Sequence, residues 1–127
     1  MHEKHLYDYT VIRVIPRVER EEFVNVGLMM YNKRQKYLRI KYLIPSEKIR
    51  AFCSEFDLDQ LHQNLEALVA ICEGKQDGGP IAKFEKDERF RWIAAVKSSS
   101  IQTSRPHSGF STDLDQTFEK LYNELVE

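Results

Sequence analysis

Three segments rich in β-branched and aromatic residues follow one another closely in the first third of the chain. They are residues 7–15 (YDYTVIRVI), 23–31 (FVNVGLMMY) and 37–44 (YLRIKYLI), and this composition is typical of β-strands. Pro16 ends the first segment, and residues 32–35 form a short turn between the second and the third. Because such short connections join antiparallel neighbours, the sequence predicts a three-stranded meander.

The apolar residues of these segments predict the register of the meander. A slip of one residue would send side chains to the opposite face, and pairing Tyr31 with Tyr37 and Arg13 with Asn25 unites the apolar residues. The resulting apolar face, which we expect helices to cover, consists of Thr10, Ile12, Val14, Val24, Val26, Leu28, Met30, Leu38, Ile40 and Tyr42. The opposite, mixed face consists of Tyr7, Tyr9, Val11, Arg13, Ile15, Phe23, Asn25, Gly27, Met29, Tyr31, Tyr37, Arg39 and Lys41.

The rest of the chain predicts helices and a further strand. Apolar residues at helical spacing indicate helices over residues 58–72 and 114–126, and a shorter helix over residues 46–53. Residues 84–93 suit a short helix, although the spacing of two aromatic residues would also suit a strand. Residues 95–103 are expected to add a strand to the meander.

Length and charge bound the class of protein. A chain of 127 residues is long enough for one hydrophobic core and too short for two. We therefore predict a single α+β domain over residues 1–127, with a mainly antiparallel sheet and helices packed on one face. The 19 basic and 20 acidic side chains nearly cancel, so no global field attracts nucleic acid or an anionic membrane. The charged N-terminus and the short apolar runs predict a cytoplasmic protein without a membrane segment.

Sequence motifs give no lead to a cofactor or a metal. The chain has no Gly-rich phosphate loop, no zinc-ligand spacing, no nucleophile elbow and no His-Glu-x-x-His helix. Cys53 and Cys72 each belong to the apolar stripe of a predicted helix, which favours reduced, buried thiols over a disulfide or a metal site. We therefore expect no cofactor, no metal and no disulfide.

The mixed face of the meander is one candidate binding surface. Gly27 would leave a shallow depression between Val11 and Lys41, flanked by donors that could hold an acidic or aromatic ligand. The favoured alternative is that a helix or the C-terminal segment covers this face, with Arg13 and Asn25 hydrogen-bonded internally. Rings and cations would also suit single-stranded nucleic acid, but the near-neutral chain makes this a minor alternative.

A second candidate is the segment 104–112 (SRPHSGFST), which we expect to be a surface loop. His107 lies there near Ser104, and with an acidic residue such as Glu22 these groups could serve a hydrolase or a transferase. The alternative is an ordinary turn with a solvated histidine. If residues 95–103 join the meander, Ser104 and His107 should meet Arg13 and Asn25 at one edge of the sheet.

Spaced patterns of residues run through most of the chain. They are Tyr9-x-x-x-Arg13-x-x-Pro16-Arg17-x-x-Arg20-x-Glu22-Phe23-x-Asn25-x-Gly27, Arg89-Phe90-Arg91-Trp92-Ile93, and Ile101-Gln102-x-Ser104-x-x-His107-x-Gly109. Together they resemble an uncharacterised bacterial family known as domain of unknown function 3037. The resemblance implies eight candidate binding residues at motif positions: Arg13, Glu22, Asn25, Gly27, Gln102, Ser104, His107 and Gly109.

The resemblance also bears on partners. Members of this family are often encoded beside a HipA-like kinase, which implies an accessory or regulatory partner of such a kinase. We therefore interpret the chain as a small module that binds a protein partner. The enzyme that uses His107 with Ser104 remains the alternative, and nucleic-acid binding the third possibility.

Overall fold

The computed structural model describes residues 3–98 and 100–127, in which an antiparallel sheet is combined with α-helices. The predicted α+β class with a mainly antiparallel sheet is confirmed. The strands are β1 (His5–Val14), β2 (Val24–Asn32), β3 (Tyr37–Tyr42), β4 (Ile101–Thr103) and β5 (His107–Ser111). The α-helices are α1 (Ser46–Phe52), α2 (Leu58–Cys72), α3 (Lys86–Ala94) and α4 (Leu114–Leu125). Short 3₁₀ turns lie at Val18–Arg20, Gln76–Gly78 and Pro80–Lys83.

The sheet is built around β1, which is its longest strand. The strand order is β3-β2-β1-β4, and β5 also pairs with β1. β4 pairs with the second half of β1, and β5 pairs with the first half. β4 and β5 therefore act as one edge strand that is interrupted at residues 104–106. Residues 104–112 are predicted from the sequence to form a loop throughout. The structure instead shows a strand from His107 to Ser111.

A β-bulge in β2 decides which side chains share a face. Ile12 lies opposite Gly27, whereas Arg13 lies opposite Asn25, so β2 carries one extra residue, Val26. The predicted pairing of Arg13 with Asn25 is confirmed, but an extra residue reverses the alternation of side chains beyond it.

The same bulge shifts the predicted faces of the meander. Leu28 and Met30 lie on the face opposite to the one predicted, where they belong to a separate buried cluster. The third strand is shifted as well, because Tyr31 pairs with Leu38 and not with Tyr37. The predicted register therefore holds on one side of the bulge and is wrong by one residue on the other.

Helices consequently cover both faces of the sheet, and not one face as predicted. The first face packs under α2 and α3, in a core built from Ile12, Val14, Val24, Val26, Met29, Ile49, Leu61, Leu65, Leu68, Ile71, Cys72, Phe90, Ile93 and Ile101. The second face packs under α4, in a cluster built from Val11, Leu28, Met30, Leu114, Phe118 and Tyr122. The bulge makes both faces of β2 apolar, so each face needs its own helical cover.

Charged groups hold α4 on the second face. Arg39 Nη2 donates to Glu119 Oε1 at 2.5 Å, and Lys41 Nζ donates to Glu119 Oε2 at 3.3 Å. These hydrogen bonds, from Lys41 and Arg39, hold the pKa of the Glu119 carboxyl below its ordinary value. The Arg39 guanidinium also lies 4.3 Å from the centre of the Phe118 ring. The aromatic and basic surface suggested for single-stranded nucleic acid is therefore covered by a helix.

Among the described residues, no helix combines the length and the apolar character that crossing a membrane requires.

Candidate functional site

A pocket of about 400 Å³ opens at the end of the sheet where β1, β2 and β4 meet. Its lining residues are Arg13, Ile15, Glu21, Phe23 and Gln102. Arg13 is the central residue of this site because it lies opposite Asn25 of β2 on one side and opposite Gln102 of β4 on the other. Side chains at directly paired positions project to the same face, so the register brings these three polar groups together.

The Arg13 side chain is held in place by an aromatic ring. Its guanidinium carbon lies 4.3 Å from the centre of the Phe23 ring, within the range of a cation–π contact. Phe23 directly precedes β2 and is 49% exposed. The bulge lies between this end of β2 and the rest of the strand, and bulges commonly re-aim side chains at binding sites. The Phe23 ring therefore holds the charged end of Arg13, a residue that lines the pocket.

Two polar atoms of this site are buried without a hydrogen-bond partner among the described residues. They are Arg13 Nε and Asn25 Oδ1. The other end of the Asn25 amide is satisfied, since Nδ2 donates to the Leu125 carbonyl oxygen at 3.0 Å and so ties the end of α4 to β2. Leaving a buried polar atom unpaired costs about 1–3 kcal/mol. Arg13, which lines the pocket, thus has an unpaired donor, and the neighbouring Asn25 has an unpaired acceptor.

Arg13 also has no acidic partner within the described ranges. The ion pairs found there involve other cations. Glu22, a candidate from the sequence, pairs with Arg20 and does not line the pocket. The acidic residue that does line it is Glu21, whose backbone has a left-handed φ of 56°. This conformation costs a non-glycine residue about 1–2 kcal/mol, and such strain is concentrated at functional sites.

Ser104 and His107 lie outside this pocket. Ser104 is buried, and its Oγ accepts a hydrogen bond from the Val11 backbone N–H at 2.9 Å. Its side chain thus replaces a missing strand contact where β4 and β5 are interrupted. His107 is exposed and lies opposite Tyr9, with the two ring centres 5.3 Å apart. That position is four residues along β1 from Arg13, which corresponds to about 13 Å.

The predicted meeting of four residues is therefore only partly present. Arg13 and Asn25 are neighbours, and Gln102 joins them, while Ser104 serves the backbone and His107 lies further along the same face. The three groups of the catalytic alternative, Glu22, Ser104 and His107, do not converge. Local sequence could not reveal this because it depends on which half of β1 each later strand pairs with.

At both candidate glycines, Gly27 and Gly109, neighbouring residues leave little room for a side chain. Gly27 was expected in a depression of the mixed face, but it lies opposite Ile12 on the other face. A Cβ there would lie 3.1 Å from both Ile12 Cδ1 and the Lys41 carbonyl oxygen, a very tight contact. A Cβ on Gly109 would lie 2.5 Å from Tyr7 Oη, because the tyrosine ring crosses this position. Both positions favour glycine because a neighbour occupies the space of a side chain.

Within residues 3–98 and 100–127, no three His, Cys, Asp or Glu side chains are grouped closely enough to hold a metal ion. Cys53 and Cys72 are free thiols, and only Cys72 is buried. Burial raises the pKa of the Cys72 thiol to about 12.

We expect the two thiols to react very differently with a thiolate-specific reagent near pH 8. Cys72 should be protected in the folded protein, because the thiolate is the reactive form and burial disfavours it. Cys53, which is partly exposed, should react first. Titration with a chromogenic disulfide reagent, with the Cys53→Ser variant as the control, measures this. Rapid modification of folded Cys53→Ser would contradict the packing of α2.

Comparisons with known proteins point to one family. A family model described as "Protein of unknown function (DUF3037)" matches residues 9–126. No curated protein and no solved structure matches the chain.

Proposed function

The chain belongs to the family of proteins of unknown function DUF3037, and we propose that it is a binding module whose Arg13 pocket holds an acidic group of a protein partner. The observation that carries this proposal is Arg13 itself. Its guanidinium is stacked on Phe23, its Nε is buried without a hydrogen-bond partner among the described residues, and it faces a pocket of about 400 Å³.

The chemistry of arginine favours a carboxylate as the group that is bound. The guanidinium presents donors in a planar fork, which matches the two oxygens of a carboxylate. Nε is closed to solvent in the unbound protein, and a ligand oxygen that reached it would remove the cost of that unpaired donor. Such a hydrogen bond is stronger than one in water because the pocket walls lower the local dielectric.

Further features of the site favour a protein over a small acid. The half-exposed Phe23 ring at the rim offers the kind of aromatic surface that is enriched at protein interfaces. Asn25 Oδ1 needs a donor, and a peptide can supply a backbone N–H beside an acidic side chain. One aspartate or glutamate residue of a partner thus carries an acceptor for Arg13 and a donor for Asn25.

The first partner that we propose is a HipA-like kinase, which the family resemblance implies. The chain would then act as an accessory or regulatory subunit, and both proteins would work in the cytoplasm. This part of the proposal rests on the resemblance alone, while the acidic group rests on the pocket.

We expect Arg13→Ala to weaken binding to a HipA-like kinase from the same genome by at least about tenfold, the usual effect of losing a central arginine anchor. The matched control is Arg50→Ala, because Arg50 is exposed on α1. Calorimetric titration of the purified proteins measures the affinity, and urea unfolding measures the stability. Unchanged affinity together with a large loss of stability would assign Arg13 a structural role.

A second measurement needs no protein partner. N-acetyl-glutamate amide added to the ¹⁵N-labelled chain should shift the Arg13 Nε–H resonance, and N-acetyl-glutamine amide should shift it much less. A shift with the acid together with no binding to the kinase would support a carboxylate-binding pocket and contradict the kinase as the partner. Equal shifts with the acid and the amide would contradict the proposal that the pocket binds a carboxylate.

A further inference from the structure

β5 presents an open backbone edge. Val11 directs both backbone groups toward Ser104, since its N–H donates to Ser104 Oγ at 2.9 Å and its carbonyl accepts from the Ser104 N–H at 2.8 Å. Backbone groups alternate in direction along a strand. The backbone N–H and C=O groups of His5, Tyr7 and Tyr9 therefore also point toward β5. The β5 residues that lie between their partners Ser111, Gly109 and His107 direct their backbone groups outward. Those residues are Ser108 and Phe110.

The side chains beside this edge form an exposed apolar patch. Phe110 lies directly opposite Leu6 of β1, and the two are 67% and 54% exposed, the largest values among the large hydrophobic residues described. They form a pair without mutual backbone hydrogen bonds, in which side chains lie especially close together. With the neighbouring Lys4 and Lys33 they line a hollow of about 330 Å³.

Basic side chains lie near both ends of β5, while the acidic Asp8 opposite Ser108 accepts a hydrogen bond from its hydroxyl. Within the described ranges, Lys4, Lys33 and Arg105 take part in no ion pair, while Arg34 is paired with Glu3 at 3.0 Å. Arg105 lies two residues before the start of β5 along the open edge, and Lys4 directly precedes β1 near the other end of β5. A second copy of this chain on the same edge would bring like charges together. An acidic partner would neutralise them.

We propose that β5 is a docking edge for an extended, acidic segment of a partner protein. The segment would add to the sheet as a further strand, with backbone hydrogen bonds to Ser108 and Phe110. An apolar side chain of the segment would cover Phe110 and Leu6, and its acidic side chains would approach Arg105 and Lys4. This edge lies along the first half of β1, away from the Arg13 pocket, so it is a surface beyond the proposed function.

The test uses a fluorescent peptide in which glutamate and valine alternate over the length of β5. We expect saturable binding to the full chain by fluorescence anisotropy at low salt. A peptide of alternating lysine and valine should bind at least about tenfold more weakly, because charge complementarity is lost. A glutamate and valine peptide with methylated backbone nitrogens should also bind at least about tenfold more weakly, because it cannot complete the strand ladder.

Variants of the chain locate the binding surface. Phe110→Ser and Arg105→Glu should each weaken binding at least about fivefold, the scale of losing one interface contact. Their matched controls, Phe84→Ser and Lys48→Glu, change exposed residues elsewhere and should have no effect. Arg13→Ala should leave the difference in affinity between the unmethylated and the methylated acidic peptide unchanged, which separates this edge from the pocket. Equal binding of the acidic and basic peptides would overturn the proposal, as would a chain dimer that Phe110→Ser dissociates.

Discussion

Phe118→Ala is expected to lower the free energy of unfolding by about 3–5 kcal/mol, the usual cost of removing a buried phenylalanine. The Phe118 side chain is fully buried and stacks on Tyr122 with ring centres 6.4 Å apart. Its other neighbour is the Arg39 guanidinium, which would lose its ring contact. Truncation would thus open a cavity beneath α4 and weaken its attachment to the sheet.

Urea unfolding followed by circular dichroism measures this loss. The matched control is Phe110→Ala, the same change at a side chain that is 67% exposed, and it should alter stability by less than about 0.5 kcal/mol. A loss at Phe118 as small as that of the control would show that α4 does not seal the second face.

Leu28→Ala is expected to cost about 2–5 kcal/mol, because Leu28 is fully buried and large-to-small changes leave a cavity. Burial alone does not show on which face of the sheet Leu28 lies, but the residues that surround it do. Leu28 belongs to the buried cluster of Phe118 beneath α4, whereas Leu65 of α2 belongs to the core on the opposite face.

A double-mutant cycle decides between the two faces. Leu28→Ala combined with Phe118→Ala should show a coupling energy of about 0.5–3 kcal/mol, as residues that share a cavity do. Leu28→Ala combined with Leu65→Ala should be additive within about 0.5 kcal/mol. Strong coupling to Leu65 in place of Phe118 would mean that β2 has no bulge and that the simple alternating register is correct.

The bulge shows why the faces could not be derived from the sequence. Residues 26–31 (VGLMMY) contain apolar side chains at both alternations, so either phase of the strand buries apolar residues. Only pairing with β1 shows that Val26 is the extra residue and that Gly27 fits opposite Ile12. An insertion of one residue changes the face without changing the local composition.

The candidate site, like the faces of the sheet, could be predicted only in part from the sequence. Arg13 and Asn25 were predicted as neighbours because the short meander limits the registers that are available, and Gln102 was expected on an added strand. The positions of Ser104 and His107 depend on where the chain leaves β4 and re-enters the sheet as β5. Turn-forming residues in that segment conceal a strand that is identified only by its pairing with residues 5–9 of β1.

Sequence alone predicts the α+β class, the antiparallel meander, the helices with periodic apolar residues, and the cross-strand pair of Arg13 with Asn25. These features depend on local periodicity and short connections, which the order of residues contains directly. Tertiary contacts set the bulge, the placement of α4 on the second face, the strand β5 and the separation of His107 from Arg13. Each of these depends on contacts between residues far apart in the chain, and several local patterns satisfy such contacts equally well.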